Sequence, residues 1–432
     1  MKILLITSLI FLNSLNVLAE NHLNFFIKAA FKNNLKLNAE RENQKAIKQN
    51  INISRSEFLP SISISGDQTS SQFTNKTDKS GNKISDSNLD TETKKISVDQ
   101  KIFQGFKGLN NLKKSELEVK KADFELKKIE QQTILDTVSA YFDFVFKTKN
   151  EEFNLSNVNL FERQVESDSA RLQKGEITLT DLAQSESSLA GANANLIKAK
   201  TELLASKTNL ERITREKAPD AISDVDEKVE IDLPTSLFEA LNLANLNNSD
   251  LIISKLNLQI AEKDHNIEKA KLSPSATLNY SKSENRDYSS TIDELDEEQV
   301  KATITWPIIK GGENISSIKK SALKKQQSLL LSKDAEERVK TETTNAWSKY
   351  QSSGSVLKAT EAQLKAAEIA NEGISLEYDS GNTRTTLELI QSRSLLLDAR
   401  IAFAKAELNF IISKVELSLQ LGTLSLSSIR PL

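Results

Sequence analysis

The 432-residue sequence contains no cysteine, which excludes disulfides, thiolate metal sites and a cysteine nucleophile. An acylated amino-terminal cysteine is excluded with them, so an exported form would not be a lipoprotein. Glycine (12) and proline (6) are scarce. Both interrupt helices, so long unbroken helices are open to much of the chain. Aromatic residues make up only 6%, too few to anchor a thick globular core. An excess of either charge is also missing: 57 basic residues face 60 acidic ones, and no basic surplus points to nucleic acid. Beyond the amino terminus no run approaches the ~18 apolar residues of a spanning helix. Strands in a membrane remain open, because their signal per segment is much weaker.

Chemistry is missing as well. His22 and His265 are the two histidines, and neither has a partner at ligand spacing. Gly105-Phe106-Lys107-Gly108 lacks the spacing of a phosphate loop. The acidic run Asp293–Glu298 fits no ordered calcium loop and reads as a solvated face. No catalytic constellation emerges, so no enzyme activity, cofactor or metal is expected.

What is present begins with an export signal. Lys2 is followed by a mostly apolar stretch from Ile3 to Leu18, and Val17-Leu18-Ala19 offers a small-residue cleavage site. Residues 1–19 are therefore expected to be a cleaved signal peptide. The remainder is written twice. Ala30-Phe31-Lys32-Asn33-Asn34 recurs as Ala244-Asn245-Leu246-Asn247-Asn248, and Leu59-Pro60 as Ser273-Pro274. Further on, Ile102-Phe103-Gln104-Gly105 has its counterpart in Ile308-Ile309-Lys310-Gly311, Ala140-Tyr141 in Ala346-Trp347, and Gly175 in Gly381. These matches predict a first repeat over 20–230 and a second over 231–432.

Each repeat has one order of elements. Helices are predicted over 23–57 and 235–272, in two segments each, ending near a proline. Alternation of period two follows: Ile62 and Ile64, then Ile96 and Val98; Ala276, Leu278 and Tyr280, then Val300, Ala302 and Ile304. These predict hairpins over 59–103 and 274–309, with the polar segments 68–92 and 282–298 expected as surface loops. Trp306 suits either a membrane-interface girdle or a strand–helix junction. Long helices are predicted over 109–172 and 315–378, at ~1.5 Å per residue about 100 Å each.

After turns at Gly175 and Gly381, returning helices are predicted over 180–215 and 385–420. They carry strict heptads: Leu182, Leu189, Leu196, Leu203 and Leu210, with Ser185, Ala192, Ala199, Ser206 and Ile213 three places behind. The second set is Leu389, Leu396, Phe403, Phe410 and Leu417. A sustained seven-residue repeat predicts coiled coil. The few residues after Leu421-Gly422-Thr423-Leu424 are expected to contribute little. Four strands are too few for a membrane barrel, whose smallest forms use about eight, so membrane strands would have to be pooled from several chains.

In this order and duplicated, the residues resemble the TolC family of outer-membrane efflux channels across essentially all of the mature chain. The local carriers are Leu59-Pro60, Phe103-Gln104-Gly105, Ala140-Tyr141-Phe142, Arg171…Gly175…Thr180-Asp181 and Leu421-Gly422-Thr423-Leu424. The resemblance implies a mainly α protein with a small β part. Its long coiled-coil helices would form a trimeric α-barrel, and four strands per chain would join a shared twelve-stranded barrel in outer-membrane lipid. It also implies a homotrimer working with a periplasmic adaptor (membrane fusion) protein and an inner-membrane transporter. The cargo would be drugs and toxins or type I secreted polypeptides.

By the same resemblance, the two turns lie at the periplasmic mouth and carry a polar gate. Tyr378 and Arg384 match the family's gate tyrosine and arginine, although one extra residue separates Gly381 from Arg384. Glu388 and Gln391 then occupy the places of two tunnel aspartates, and Thr180 and Asp181 the places of first-repeat partners. Gln391 departs from the pattern, and losing one carboxylate ring should weaken attraction for cations. Arg384 is expected to pair with Asp181 or Glu388. A plainer reading makes Thr180 and Asp181 helix caps, and the two roles can coexist. The rival function is a periplasmic coiled-coil adaptor or scaffold that never enters the membrane. It accounts poorly for duplicated strand pairs; a surface filament or adhesin would lack a membrane-length hairpin altogether.

Overall fold

A computed structural model describes residues 22–220, 229–289, 291–380 and 384–428, and the backbone of 430–431. The signal-peptide stretch and Gly381 lie outside the described residues. In chain order the elements are α1 (His22–Asn33), α2 (Leu35–Ser56), β1 (Ser61–Phe73), β2 (Ser87–Gln104), α3 (Lys107–Gln173) and α4 (Leu179–Thr214). There follow β3 (Val229–Glu230), α5 (Leu237–Asn247), α6 (Ser249–Ala270), β4 (Ser275–Arg286), β5 (Glu294–Thr305), α7 (Glu313–Asp379), α8 (Thr386–Gln420) and β6 (Arg430–Pro431). With no internal proline to remove a backbone donor, α3 and α7 each run 67 residues, about 100 Å at ~1.5 Å per residue.

The chain divides into two compact units. One comprises residues up to 41, 125–252 and 335–432. Its core forms where α1 lays Leu23, Phe26 and Ala30 on Val138, Tyr141 and Phe144 of α3, closed by Leu210 and Ile213 of α4 and Leu408 and Val415 of α8. The aromatic rings of Phe26 and Tyr141 lie 5.8 Å apart. A smaller core joins Ala240 and Ala244 of α5 and Leu251 of α6 to Val339, Leu417 and Leu421.

Gly422, in the left-handed region at φ +70°, lets the end of α8 turn against α5; a Cβ there would fall on the carbonyl group of Asn247. Asn248 completes the junction by donating its side-chain amide to the Gln420 carbonyl at 2.8 Å. The heptads of α4 and α8 face inward as stripes. The small residues Ser185, Ala192, Ala199 and Ser206 are all buried, whereas of the leucines Leu196 and Leu210 are buried and Leu182, Leu189 and Leu203 only half-buried. Small side chains let helices approach closely, so their stripe is buried along its length.

The second unit comprises residues 42–124 and 253–334. Its sheet has the order β1-β2-β4-β5, antiparallel throughout. The helices around it meet largely through polar contacts. Asn111 donates to Glu57 at 2.8 Å, Lys114 pairs with Asp264 at 2.8 Å, and Lys325 with Glu262 at 2.9 Å. His265, far from any ligand set, shares a 2.8 Å hydrogen bond with Ser321.

Two expectations need correction. The segments 68–92 and 282–298 are mostly strand, leaving only residues 74–86 and 287–293 between paired strands. Polar composition misled because a strand in water on both faces needs no apolar alternation; ladder hydrogen bonds alone continue it. The residues after Leu424 also contribute more than expected, because β6 pairs with β3; within the motif itself, Leu424 is buried in the main core and its carbonyl accepts from Gln131 at 3.1 Å.

Candidate functional site

The first candidate is the sheet face. Pairing puts Ile62, Val98, Tyr280 and Val300 in one row across all four strands, and Ile64 beside Ile96 in the next. Leu278 faces Ala302, and Ala276 lies between Ile304 and Phe103, where a bulge at Ile102 shifts the register. All these side chains fall on one face because side chains alternate along a strand. The other face carries Ser61, Ser63, Ser97, Asn279, Ser281 and Thr303. The apolar face is open: Ile64 is 80% and Val300 71% exposed.

Soluble domains rarely leave so contiguous an apolar band uncovered, and lipid is a solvent that covers it. The strands have 12 to 18 residues, enough for the ~9–11 that cross a bilayer at a tilt. Trp306, just past β5, is exposed, and its indole N–H donates to the Leu272 carbonyl at 3.0 Å, a contact at a strand–helix junction. No described helix is long and apolar enough to cross a membrane, which says nothing of a barrel.

The second candidate is the pair of helical turns. At the first, Gly175 adopts φ +72° and Thr178 caps α4. The Thr178 hydroxyl accepts from the Asp181 backbone amide, while the Asp181 carboxylate accepts the Thr178 backbone N–H at 2.9 Å and its hydroxyl at 2.7 Å. These bonds hold the Asp181 carboxyl below the usual carboxylate range. Thr180 is exposed one position inside the helix and is not the cap residue.

The second turn repeats the device. Thr385 caps α8, and Glu388 accepts its backbone N–H at 2.8 Å, which together with the Thr385 hydroxyl and Arg384 lowers the Glu388 pKa. Arg384 forks between Glu377 at 2.6 Å and Glu388 at 3.2 Å. Of its two expected partners, the structure thus brings it to Glu388 and leaves Asp181 with Thr178. Arg384, Glu388 and Gln391 share a groove of about 430 Å³ between α7 and α8, also lined by Ala366, Ala367 and Ala370.

Tyr378 points elsewhere. Buried against α3, its hydroxyl donates to Asp168 at 2.8 Å, accepts from the Gln164 amide at 3.1 Å and lies 3.2 Å from the Thr386 hydroxyl. Burial raises its pKa, so the phenol stays protonated and can donate. Asp168 is fully buried and also takes the Ser185 hydroxyl at 2.6 Å and the Gln164 amide at 2.9 Å. The Gln164 carbonyl in turn accepts from Arg393 at 3.2 Å, whose pKa burial lowers. The Arg171 guanidinium lies 4.8 Å from the centre of the Tyr378 ring.

Sequence reading missed Gln164, Asp168 and Arg393, and took Ser185 only as a coiled-coil stripe residue. A signal existed: Asp168 lies 17 residues before Ser185, on the α3 face that the buried heptad stripe of α4 must meet after the turn. An acid on such a face is costly without donors. Among the described residues no group of three or more histidine, aspartate or glutamate side chains is placed to hold a metal.

Long helices packed by coiled-coil stripes, joined to strands with one bare apolar face, define a channel-forming membrane protein. The family model described as outer membrane efflux protein matches residues 26–214 and again 240–423. The chain belongs to that family and is an outer-membrane efflux channel protein. It is 25% identical over 389 residues to the outer membrane efflux protein BepC of Brucella suis, covering 90% of this chain and 82% of BepC. To the outer membrane protein TolC of Vibrio cholerae it is 25% identical over 380 residues, covering 86% and 84%. Among solved structures, the Campylobacter jejuni CmeC outer membrane channel shares its fold with a TM-score of 0.81 at 16% identity, over 94% of this chain and 86% of that one. The Vibrio cholerae protein VceC does so with a TM-score of 0.77 at 16% identity, over 93% and 96%.

Proposed function

We propose that three copies of this chain pool their strands into one twelve-stranded barrel in the outer membrane. Their long helices would form a tunnel continuous with it, through which small toxic molecules or secreted polypeptides leave the cell. The observation that carries the trimer is the sheet itself: β1 and β5 stand at its two ends, and unpaired edge groups in lipid cost several kcal/mol each. Closure by copies of the same chain removes every edge; three copies match the resemblance to the TolC family. A passive conduit supplies no energy, so the reading includes an inner-membrane transporter and a periplasmic adaptor protein. The groove between α7 and α8, lined in part by Ala366, Ala367 and Ala370, is where a docking helix of the adaptor would lie.

The turns would form the periplasmic mouth, with Tyr378, Arg384, Glu388, Gln391, Thr180 and Asp181 as gate residues and Gly175 and Gly381 as turn glycines. Arg384 would act there by stapling its own hairpin through Glu377 and Glu388. Imaging of particles from detergent-extracted outer membranes tests the assembly. A three-fold tube with a detergent belt at one end is expected; monomers or beltless filaments would refute it. Bilayer conductance of Arg384→Ala and Asp181→Ala tests the gate, and unchanged conductance in both would remove it.

A further inference from the structure

The apolar face of the sheet changes character abruptly towards the hairpin turns. We propose that the change marks a docking surface for phosphorylated lipid headgroups, centred on Lys94, Lys282 and Arg286. It rests on the reading that this face meets lipid. Beyond the row of Val98, Tyr280 and Val300, the next row on the same face sets Ile96 beside Lys282 and Glu298. The row after that aligns Lys94, Glu284 and Asp296, and the third aligns Glu92, Arg286 and Glu294. Positions two apart along a strand share a face, so these charges continue the apolar band and do not point into the barrel.

Strand length decides what they touch. The outward apolar run of β5 extends only from Val300 to Trp306, short of the ~9–11 residues that a tilted strand uses to cross the hydrocarbon. The shortfall draws the rows of Lys282 and Lys94 down to headgroup level, out of open water. Tyr280 fits that border. Its ring belongs to the last fully apolar row, and its hydroxyl donates to Glu298 of the first charged row at 2.6 Å, the posture of an aromatic wet at one end.

The charges are sorted by strand. Lys282 and Arg286 flank Glu284 on β4, and Lys94 lies directly opposite Glu284 on β2. Three exposed cations thus surround one carboxylate at cross-strand and diagonal spacings of ~5–8 Å. Their stems can lie on the neighbouring apolar row while the charged ends reach outward; Lys94 meanwhile rests on Glu92 at 3.0 Å. The acids gather on β5, as Glu294, Asp296 and Glu298. Acids outnumber bases in these rows, so a layer of anions alone is a poor match. Phosphate accompanied by divalent counter-ions matches both signs, with phosphate against β2 and β4 and its counter-ions on the β5 side.

The test uses the full channel in phosphatidylcholine vesicles containing lipid A, a phosphorylated glycolipid, and magnesium. The chain has no cysteine, so single labels report depth. Gly66 shares the row of Lys94 and has open space for a side chain, and Ser70 lies two rows further out on the same strand and face. A fluorophore on Gly66→Cys should be shielded from an aqueous quencher, and one on Ser70→Cys should be quenched freely. Combining Lys94→Gln with Lys282→Gln should cut lipid A retained through purification about tenfold or more, at ~1 kcal/mol per basic residue near an anionic surface. Lys95→Gln, adjacent in sequence but on the opposite face, should leave retention unchanged. Chelating magnesium should release lipid A from the parent channel.

Equal quenching of the two labels would overturn the proposal, and so would equal retention by the Lys94 and Lys282 variant and the Lys95 variant. Displacement of lipid A by inorganic phosphate alone would overturn it too, by revealing a site for free anions. Val300→Lys tests the underlying lipid reading separately. A barrel weakened by Val300→Lys but indifferent to the lysine changes loses only the headgroup surface, whereas indifference to Val300→Lys removes the lipid face itself. The quenching comparison decides the matter if the lysine variants assemble poorly.

Discussion

Gly422→Ala isolates a single structural demand. The residue sits at φ +70°, where a side chain costs roughly 1–2 kcal/mol relative to glycine. The added Cβ also has no room, because the atoms it meets are backbone of Asn247 and Asn248 rather than a flexible side chain. Relief requires moving the α5–α6 junction, where Asn248 accepts the Asp250 and Leu251 amides and donates to Gln420. Leu251, Leu417 and Leu421 are fully buried around it, and burying such a side chain is worth about 1.5–3 kcal/mol. Strain plus a partial loss of that packing gives an expected cost of about 3–5 kcal/mol. Thermal unfolding followed by helical circular dichroism should fall by several degrees. Gly191→Ala is the control: it lies within α4 with open space around it, and should gain about 0.5–1 kcal/mol from helix propensity. Equal midpoints for the two variants would refute the reasoning.

On the sheet, Val300→Lys should cost about 2–4 kcal/mol if its face meets lipid, while Gln299→Lys on the opposite face should be near neutral; heat-resistant mobility of the assembled barrel reports the difference. On the proposed placement of Gln391 in the tunnel, Gln391→Asp should raise cation selectivity, read as a shift in reversal potential. The depressed pKa values of Asp181 and Glu388 place their stabilisation above the ordinary carboxylate range, and it should fade as pH falls through their lowered values. Hydrogen exchange in the first turns of α4 and α8 should accelerate over that acidic window, and Asp181→Asn should lose the α4 part of the effect. Phe144→Ala, at a fully buried site on α3, should cost about 3–5 kcal/mol, seen as a lower unfolding midpoint.

The helices were legible because their cause is local. Missing prolines, heptads and capping boxes act within a few residues, so α3, α4, α7 and α8 end within one or two residues of where spacing placed them. The apolar rows of the sheet were legible as alternation, yet their register was not. Nothing in Ile62 announces that it lies beside Val98, since that depends on a turn thirteen residues long between Phe73 and Ser87. The candidate gate residues were found by resemblance, whereas the bonds they make follow from which carboxylate is free. Thr178 and Thr385 settled that, and each stood in plain view three places before its acid.

The same logic explains why the acid at the centre of the tip escaped notice. Asp168 sits among Ser, Glu and Arg neighbours in a helix of mixed charge, where one more acid reads as surface. Its burial follows only from two long-range facts, the α4 stripe folding back at Ser185 and the α7 phenol arriving at Tyr378. A buried carboxylate with three donors from three helices imposes a requirement that exposed ion pairs do not. Surface pairs such as Arg384 with Glu377 exchange readily with water and are worth little individually. Asp168 differs because it is fully buried and its donors come from α3, α4 and α7, so its role becomes visible only once those helices are packed together.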